Sequence, residues 1–357
     1  MSFEIPVTRV PQPKPKPRDD QLGFGQVFTD HMFLMDAAGD TGWSDPRIVP
    51  YGPLELEPAT VVLHYAQSIF EGLKAYRGED DVVRLFRPDR NIARFNRSAA
   101  RLCVPVIDPE LFLAALKQLV AVDREWVPRA PGTSLYVRPV AFASDPDLHV
   151  RPSRTYRFFI ILSPVAAYYA EGFNPLRIRV EDGYARSVRG GTGAAKTAGN
   201  YAGSLLAGEE AQRDGFAQVL WLDGIHQEYI EEVGSMNIAF VIGDELVTPP
   251  LTGTLLEGVT RESVLQLARD YGMSVAERPV TIAELLAAAR SGTLREAFGT
   301  GTAAVISPVG ELAYRGERFR VRDGEVGPLS RRLFDDLSDV QRGRRPDRHG
   351  WMVPVED

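Results

Sequence analysis

A mixed α/β fold in two domains is predicted by three features of the chain. Its apolar residues recur with period 2 in some segments and period 3.6 in others, the alternation expected of strands mixed with helices. With 357 residues, 44% of them hydrophobic, there is enough apolar surface for two cores rather than one. A dense apolar run also gives way between Ala166 and Pro175 to Tyr168, Tyr169, Gly172 and Pro175, the composition of a seam. The expected organisation is a flexible proline-rich arm over 1–20, a smaller α/β domain over 21–168, a linker over 169–178 and a larger α/β domain over 179–357.

Taken in order, Pro6 to Arg18 carries Pro11, Pro13, Lys14, Pro15, Lys16 and Pro17, which predicts an extended, mobile segment. Val82 to Phe86 and Arg157 to Leu162 are strand-like, and Ile92, Phe95, Ala99 and Leu102 keep helical spacing after Pro88. Asp108 followed by Pro109 marks the start of a second helix running to Val122. Gln218–Leu222, Asn237–Ile242 and Ala303–Val309 are strand-like. Thr281 with Glu284 forms a capping box ahead of a helix that Gly292 ends.

Charge and composition exclude several function classes. A net charge of −7 disfavours nucleic acid or an anionic membrane as partner, because polyanions need a basic field. Cys103 is the sole cysteine and no two of the five histidines have ligand spacing, so neither a disulfide nor a metal site is expected. No segment approaches the ~20 apolar residues that span a bilayer, and the N-terminus lacks the basic-then-apolar order of a secretory signal. A cytoplasmic enzyme acting on a small metabolite is expected.

The chemistry centres on Lys196. It lies in Gly190-Gly191-Thr192-Gly193-Ala194-Ala195-Lys196-Thr197-Ala198-Gly199-Asn200-Tyr201, and five glycines fall between Gly190 and Gly203. Such density predicts close approach of the backbone to something. An amine that sheds its proton when desolvated is the nucleophile suited to a carbonyl cofactor. Two rival motifs fail on context. Gly190 to Thr197 approximates a phosphate loop of a nucleotide hydrolase, but Ala195 replaces the required glycine and Ala185 to Arg189 is a poor buried strand. Gly299-Thr300-Gly301-Thr302-Ala303-Ala304 mimics a dinucleotide fingerprint, yet precedes a strand-like run rather than a helix.

Leu63 to Tyr76, Arg84 to Pro88, Gly193 to Tyr201, Glu232 to Asn237 and Phe298 to Ala303 together resemble a branched-chain amino acid aminotransferase of the larger type. That family belongs to the fold type IV pyridoxal phosphate enzymes. The resemblance extends from Gly23–His31 to Trp351–Pro354. It implies two α/β domains with the active site between them, pyridoxal 5'-phosphate as cofactor, and transamination of L-leucine, L-isoleucine and L-valine with 2-oxoglutarate. By the same resemblance Lys196 joins the cofactor aldehyde and moves the proton, Glu232 faces the ring nitrogen and Tyr201 its hydroxyl. Arg94, Leu256, Val259, Thr260 and Thr302 hold the phosphate end. Phe70, Tyr65, Tyr136 and Tyr168 line the substrate pocket, Arg138 pairs the distal carboxylate of glutamate, and Ala303 with Thr302 receives the α-carboxylate. Ser235, Leu148 and Val150 match pocket positions more loosely. The loop at 148–150 and Tyr65 reach a neighbouring subunit's site, implying a homodimer. Same-fold alternatives are a D-amino acid aminotransferase and an aminodeoxychorismate lyase; a catalytically dead homologue is disfavoured because lysine, glutamate and phosphate-site residues are all present. Ala304 and Ser307 stand where some relatives carry a redox cysteine pair, and His149 where relatives often have a smaller residue.

Overall fold

A computed structural model describes residues 3–39, 42–166 and 173–356. The chain divides into two compact units, 1–168 with 195–198 and 339–357, and 169–194 with 199–338. The division is therefore not at a single seam. Four residues around Lys196 and the C-terminal stretch group with the first unit, because their backbones pair with its strands and helices. The expected linker also overlaps a strand that begins at Leu176.

The strands are β1 His31–Ala38, β2 Trp43–Pro50, β3 Ser68–Phe70, β4 Leu73–Arg77, β5 Val83–Phe86, β6 Ser134–Ala143, β7 Thr155–Val165, β8 Leu176–Glu181 and β9 Gln218–Leu222. They continue with β10 Ile230–Val233, β11 Met236–Ile242, β12 Glu245–Thr248, β13 Ser274–Glu277, β14 Leu294–Gly301, β15 Val305–Tyr314, β16 Glu317–Arg320 and β17 Met352–Pro354. The helices are α1 Val61–Tyr65, α2 Pro88–Arg101, α3 Pro109–Val122, α4 Ala198–Ala202, α5 Leu205–Arg213, α6 Val259–Asp270, α7 Ile282–Ser291 and α8 Pro328–Gln341.

The first unit is an eight-stranded antiparallel sheet in the order β17-β5-β4-β6-β7-β1-β2, with β3 added on β6. Strand alternation sends Leu73, Ala75, Leu135 and Val137 into its core and Lys74, Tyr136 and Arg138 to the opposite face. Two helices pack on the core side. Phe95 of α2 and Phe112 of α3 meet Phe158 of β7 edge-on, with ring centroids 5.5 and 5.0 Å away. Helix α3 begins as predicted, because the Asp108 carboxylate accepts the N–H groups of Glu110 and Leu111 that a helix start leaves unpaired.

The proline-rich arm lies against the first unit. Ile5 is 5% exposed inside the first core. Val7 bridges Ile48, which donates its N–H to Pro6 O at 2.8 Å, and Thr8 N–H answers to Ile48 O at 2.9 Å. Further along, Val10 N–H donates to His31 Nε2 at 3.0 Å and Lys14 N–H to Asp30 Oδ1 at 2.9 Å. The lysines also find partners: Lys14 Nζ donates to Thr29 O at 2.9 Å and lies 4.7 Å from the Tyr51 ring centroid. Proline enforces an extended chain and removes donors, so few N–H groups remain, and those of Thr8, Val10 and Lys14 are met by Ile48, His31 and Asp30. Composition reports the stiffness of such a segment but not the surface that receives it.

In the second unit nine strands run β10-β9-β8-β15-β14-β11-β12-β13, with β16 on β15. An additional β10–β11 pairing closes β8, β9, β10, β11, β14 and β15 into a barrel, which removes the open edges of those strands. Its interior holds Ile178, Val180, Leu220, Val233, Met236, Ile238, Phe240 and Ala297. The predicted strand over Ala303–Val309 begins at Val305, and β14 before it was not foreseen. Gly299 explains the fingerprint-like run: a Cβ there would lie 2.8 Å from Met236 Cε and 3.0 Å from Val233 Cγ1. The small residue lets the barrel close. Thr281 caps α7 by accepting Glu284 N–H at 3.0 Å, and Gly292 ends it at φ +73°.

Because Ile5 is packed rather than trailing, Ile5→Ala should cost about 2 to 4 kcal/mol, the range for emptying a buried aliphatic site. Urea denaturation checks this. A loss below about 0.5 kcal/mol, as for an exposed position, would contradict the packing of Ile5.

Candidate active site

In the first unit, α2 presents two kinds of residue along its inner side. Ile92, Phe95 and Ala99 enter the core, while Asn91, Arg94 and Ser98 form a polar ridge at helical spacing. Arg94 donates through Nε to Glu71 Oε1 at 2.6 Å and through Nη2 to Glu71 Oε2 at 2.9 Å, and Asn91 Nδ2 adds a bond to Oε2 at 2.8 Å. Glu71, on the turn between β3 and β4, is fully buried. Burial alone would raise its carboxyl, but the charge and hydrogen bonds of Arg94, with the Lys196 charge and the Asn91 amide, outweigh it and hold Glu71 below the usual carboxylate range.

Ser98 sets the lysine. Its Oγ accepts Lys196 N–H at 2.9 Å while donating to Arg94 O at 3.0 Å. Phe70 N–H donates to Lys196 O at 3.0 Å, Thr197 bridges Ile69, and Thr197 Oγ1 donates to Ser68 O at 2.7 Å. The Lys196 amine comes 4.9 Å from the Phe70 ring centroid. Arg138 lies over the same ring at 5.0 Å and over Tyr136 at 5.2 Å, and its Nη2 donates to Tyr136 Oη at 3.0 Å. The predicted residues Lys196, Arg94, Phe70, Tyr136 and Arg138 are thus gathered in one unit. Phe24, which sequence reasoning passed over, joins them edge-on to Tyr136 at 5.1 Å.

Tyr65 is exposed, and its hydroxyl donates to Leu148 O at 2.7 Å. Leu148 and Val150 are exposed too, Val150 to 85%. His149 points outward, paired with Asp147 at 2.6 Å. Tyr168 lies outside the described residues.

In the second unit the barrel register places Glu232 of β10 opposite Asn237 of β11, and Asn237 opposite Thr300 of β14. Glu232 is 2% exposed. Asn237 Nδ2 donates to Glu232 Oε1 at 3.0 Å and to Leu256 O at 2.9 Å, and Arg186 Nη1 lies 2.6 Å from Glu232 Oε2. Just beyond Leu256 begins α6, with Val259 and Thr260 buried in its first turn and Gly258 supplying no side-chain cap. Amides there suit an anion. Thr302 and Ala303 lie half-buried in the turn from β14 to β15, and Ser235 is exposed on the β10–β11 turn. Tyr201 is half-buried on α4. In the glycine-rich loop the close approach is at Gly193, where a Cβ would fall 2.1 Å from both Ser187 Oγ and Thr254 O.

These donor sets fit the cofactor that the resemblance implies. A side-chain amine fixed at its backbone suits an aldehyde, a buried carboxylate suits a protonated ring nitrogen, and an uncapped helix start suits a phosphate. Glu71, Asn91, Ser98, Arg186 and Asn237 were missed. The one available signal was polar residues at buried helix spacing in α2; the rest depend on pairings across long sequence separations.

Residues 68–312 match the amino-transferase class IV family. A branched-chain-amino-acid aminotransferase 2 of Bacillus subtilis (strain 168) is 56% identical over 342 residues, 96% of this chain and 94% of that one. Among solved structures, the Escherichia coli branched-chain amino acid aminotransferase superposes with a TM-score of 0.76 at 27% identity, covering 92% of this chain and 99% of that one. The Thermobaculum terrenum enzyme of the same name, in its PLP form, gives 0.74 at 26% identity over 91% and 98%. The chain belongs to the class IV aminotransferase family.

Lys74, also missed, lies on β4 directly across from Tyr136. Burial pulls its amine down to about 7, whereas an unfolded lysine titrates near ~10.4. Between those values the unfolded chain binds more protons, so stability is greatest above the upper value and falls as pH drops toward the lower. The urea midpoint should therefore rise from about pH 7 to pH 9.5 and Lys74→Met should flatten that rise. Parallel curves for the two proteins would contradict the burial of a neutral amine.

Proposed function

We propose that this chain is a pyridoxal 5'-phosphate-dependent transaminase. It exchanges the amino group between L-leucine, L-isoleucine or L-valine and 2-oxoglutarate, giving branched-chain 2-oxo acids and L-glutamate. The observation that carries this reading is 56% identity, over 96% of the chain, to a branched-chain-amino-acid aminotransferase, together with a lysine whose backbone is held at both its N–H and its C=O.

When bound, the cofactor supplies an aldehyde that condenses with amines and a ring that draws electrons from the substrate α-carbon. Lys196 would provide the covalent anchor to the aldehyde and, once the substrate amine has displaced it, a free amine able to take the α-proton and return it. Glu232 accepts the proton-bearing ring nitrogen and keeps it charged. Tyr201 hydrogen-bonds the ring hydroxyl. Arg94, oriented by Glu71, binds the phosphate with Thr302, the Leu256 segment and the Val259 and Thr260 amides at the start of α6.

Substrate binding has to accept an apolar side chain in one half-reaction and a carboxylate in the other. Phe70 and Tyr136, with Tyr168, supply apolar surface, and Arg138, stacked on the first two rings, supplies the cation that pairs glutamate's distal carboxylate. Thr302 and Ala303 receive the α-carboxylate. Tyr65, Leu148 and Val150 complete the pocket of a second copy, with Ser235 at its rim, in a cytoplasmic homodimer.

Incubated with L-leucine and 2-oxoglutarate, the protein should form 4-methyl-2-oxopentanoate and glutamate in equal amounts. Lys196→Ala should lower the rate by at least about a thousandfold. Arg138→Met should raise KM for 2-oxoglutarate about tenfold or more while changing that for leucine little. D-alanine outperforming L-leucine as donor would overturn the substrate assignment.

A further inference from the structure

Arg186 lies in the segment leading into the glycine-rich loop, ten positions before the lysine by sequence number. Its side chain is 5% exposed, its guanidinium Nη1 is 2.6 Å from Glu232 Oε2, and the glutamate side chain is 2% exposed. Burying a guanidinium against a carboxylate removes two charges from water, a cost that geometry and further hydrogen bonds must offset. Here Glu232 Oε2 faces Arg186 Nη1 as an ion pair outside hydrogen-bond geometry, and Oε1 accepts from Asn237 Nδ2 at 3.0 Å. Asn237 in turn donates to Leu256 O at 2.9 Å, which ties the carboxylate to the start of α6.

The surroundings make a cation necessary. Glu231, the next residue on β10, is buried as well, and Asp223 lies close enough to act on it. Burial pushes the Glu231 carboxyl up, and the charges of Glu232 and Asp223 push it further, while the Thr254 hydroxyl and Arg186 act in the opposite sense. Asp223 accepts four backbone N–H groups, from Ile225, His226, Glu228 and Tyr229, and so stays ionised. Among the described residues Arg186 pairs with Glu232 and acts on Glu231, while Arg189 lines the same cavity as Glu231 and Asp223. We infer that Arg186 is a positioning residue that keeps Glu232 ionised and fixes it as an acceptor for the cofactor's ring nitrogen, so that the carboxylate does not take up a proton in the working pH range. The inference rests on the proposed role of Glu232.

Protein stripped of cofactor is titrated with pyridoxal 5'-phosphate at pH 6 and pH 8, and separately with inorganic phosphate, which Glu232 itself would not contact. In Arg186→Met the glutamate carboxyl moves up into this range, so the Kd ratio between the two pH values should exceed the wild-type ratio about tenfold, as one unit of proton affinity requires. Phosphate binding should be unchanged, and Arg186→Lys should restore most of the wild-type ratio. Arg186→Met combined with Glu232→Gln leaves no carboxylate to titrate and should return the ratio to the wild-type value. If Arg186→Met does not fold, a folded, phosphate-binding double variant supports the inference, since removing the uncompensated charge repairs the defect; an unfolded double variant overturns it. An Arg186→Met ratio equal to wild type overturns the inference alone. A wild type that takes up no cofactor at either pH removes the Glu232 role on which it rests.

Discussion

The backbone of Lys196 is held from both sides, and its neighbours in the first unit are placed by the same elements. Its N–H is fixed by Ser98 on α2 and its C=O by Phe70 at the end of β3. A lysine side chain has several freely rotating bonds, so a nucleophilic amine is only as well placed as the backbone from which it swings. Anchoring that backbone to an antiparallel sheet and a packed helix confines the amine near the Phe70 ring and the Arg94 helix. Reactions of this kind depend on such confinement, because orientation prepaid in the fold need not be supplied at the moment of reaction.

Two buried ion pairs do for charge what the clamp does for position. In the first unit Glu71 grips Arg94 through two donors; in the second Glu232 faces Arg186. Pairs of this sort contribute little net stability, because desolvation takes back most of the attraction. Their effect is geometric. Glu71 aims a guanidinium expected to bind phosphate, and Glu232 presents an acceptor where a ring nitrogen is expected. Lys74, a lysine of the same unit, shows the contrast: buried and pulled down to about 7, it sits on β4 without the backbone clamp at Ser98 and Phe70.

Much of this was legible in the sequence, and what was not has a common cause. Lys196 stood out because a lone amine among glycines is unusual, and the start of α3 and both ends of α7 were readable because capping is local. The Arg94 site was readable only through family resemblance, whereas its partner Glu71 carried no local signal. Ser98 and Lys196 are 98 positions apart, and nothing in either neighbourhood announces the other. The path of the arm was hidden for the same reason, since its prolines and lysines describe the segment while Ile48, His31 and Asp30 decide where it lies. The Gly299 run mimicked a dinucleotide fingerprint and failed on context, and the structure supplies the reason for its glycine, the close approach of Met236 and Val233 where the barrel closes.

The central claim is that one amine, and not the other buried or exposed lysines, carries the cofactor. Borohydride reduction of the pyridoxal 5'-phosphate-loaded protein, followed by peptide mass mapping, tests it directly. A single reduced pyridoxyl adduct is expected, on the peptide containing Lys196. An adduct on Lys74 or elsewhere, with the Lys196 peptide unmodified, would contradict it.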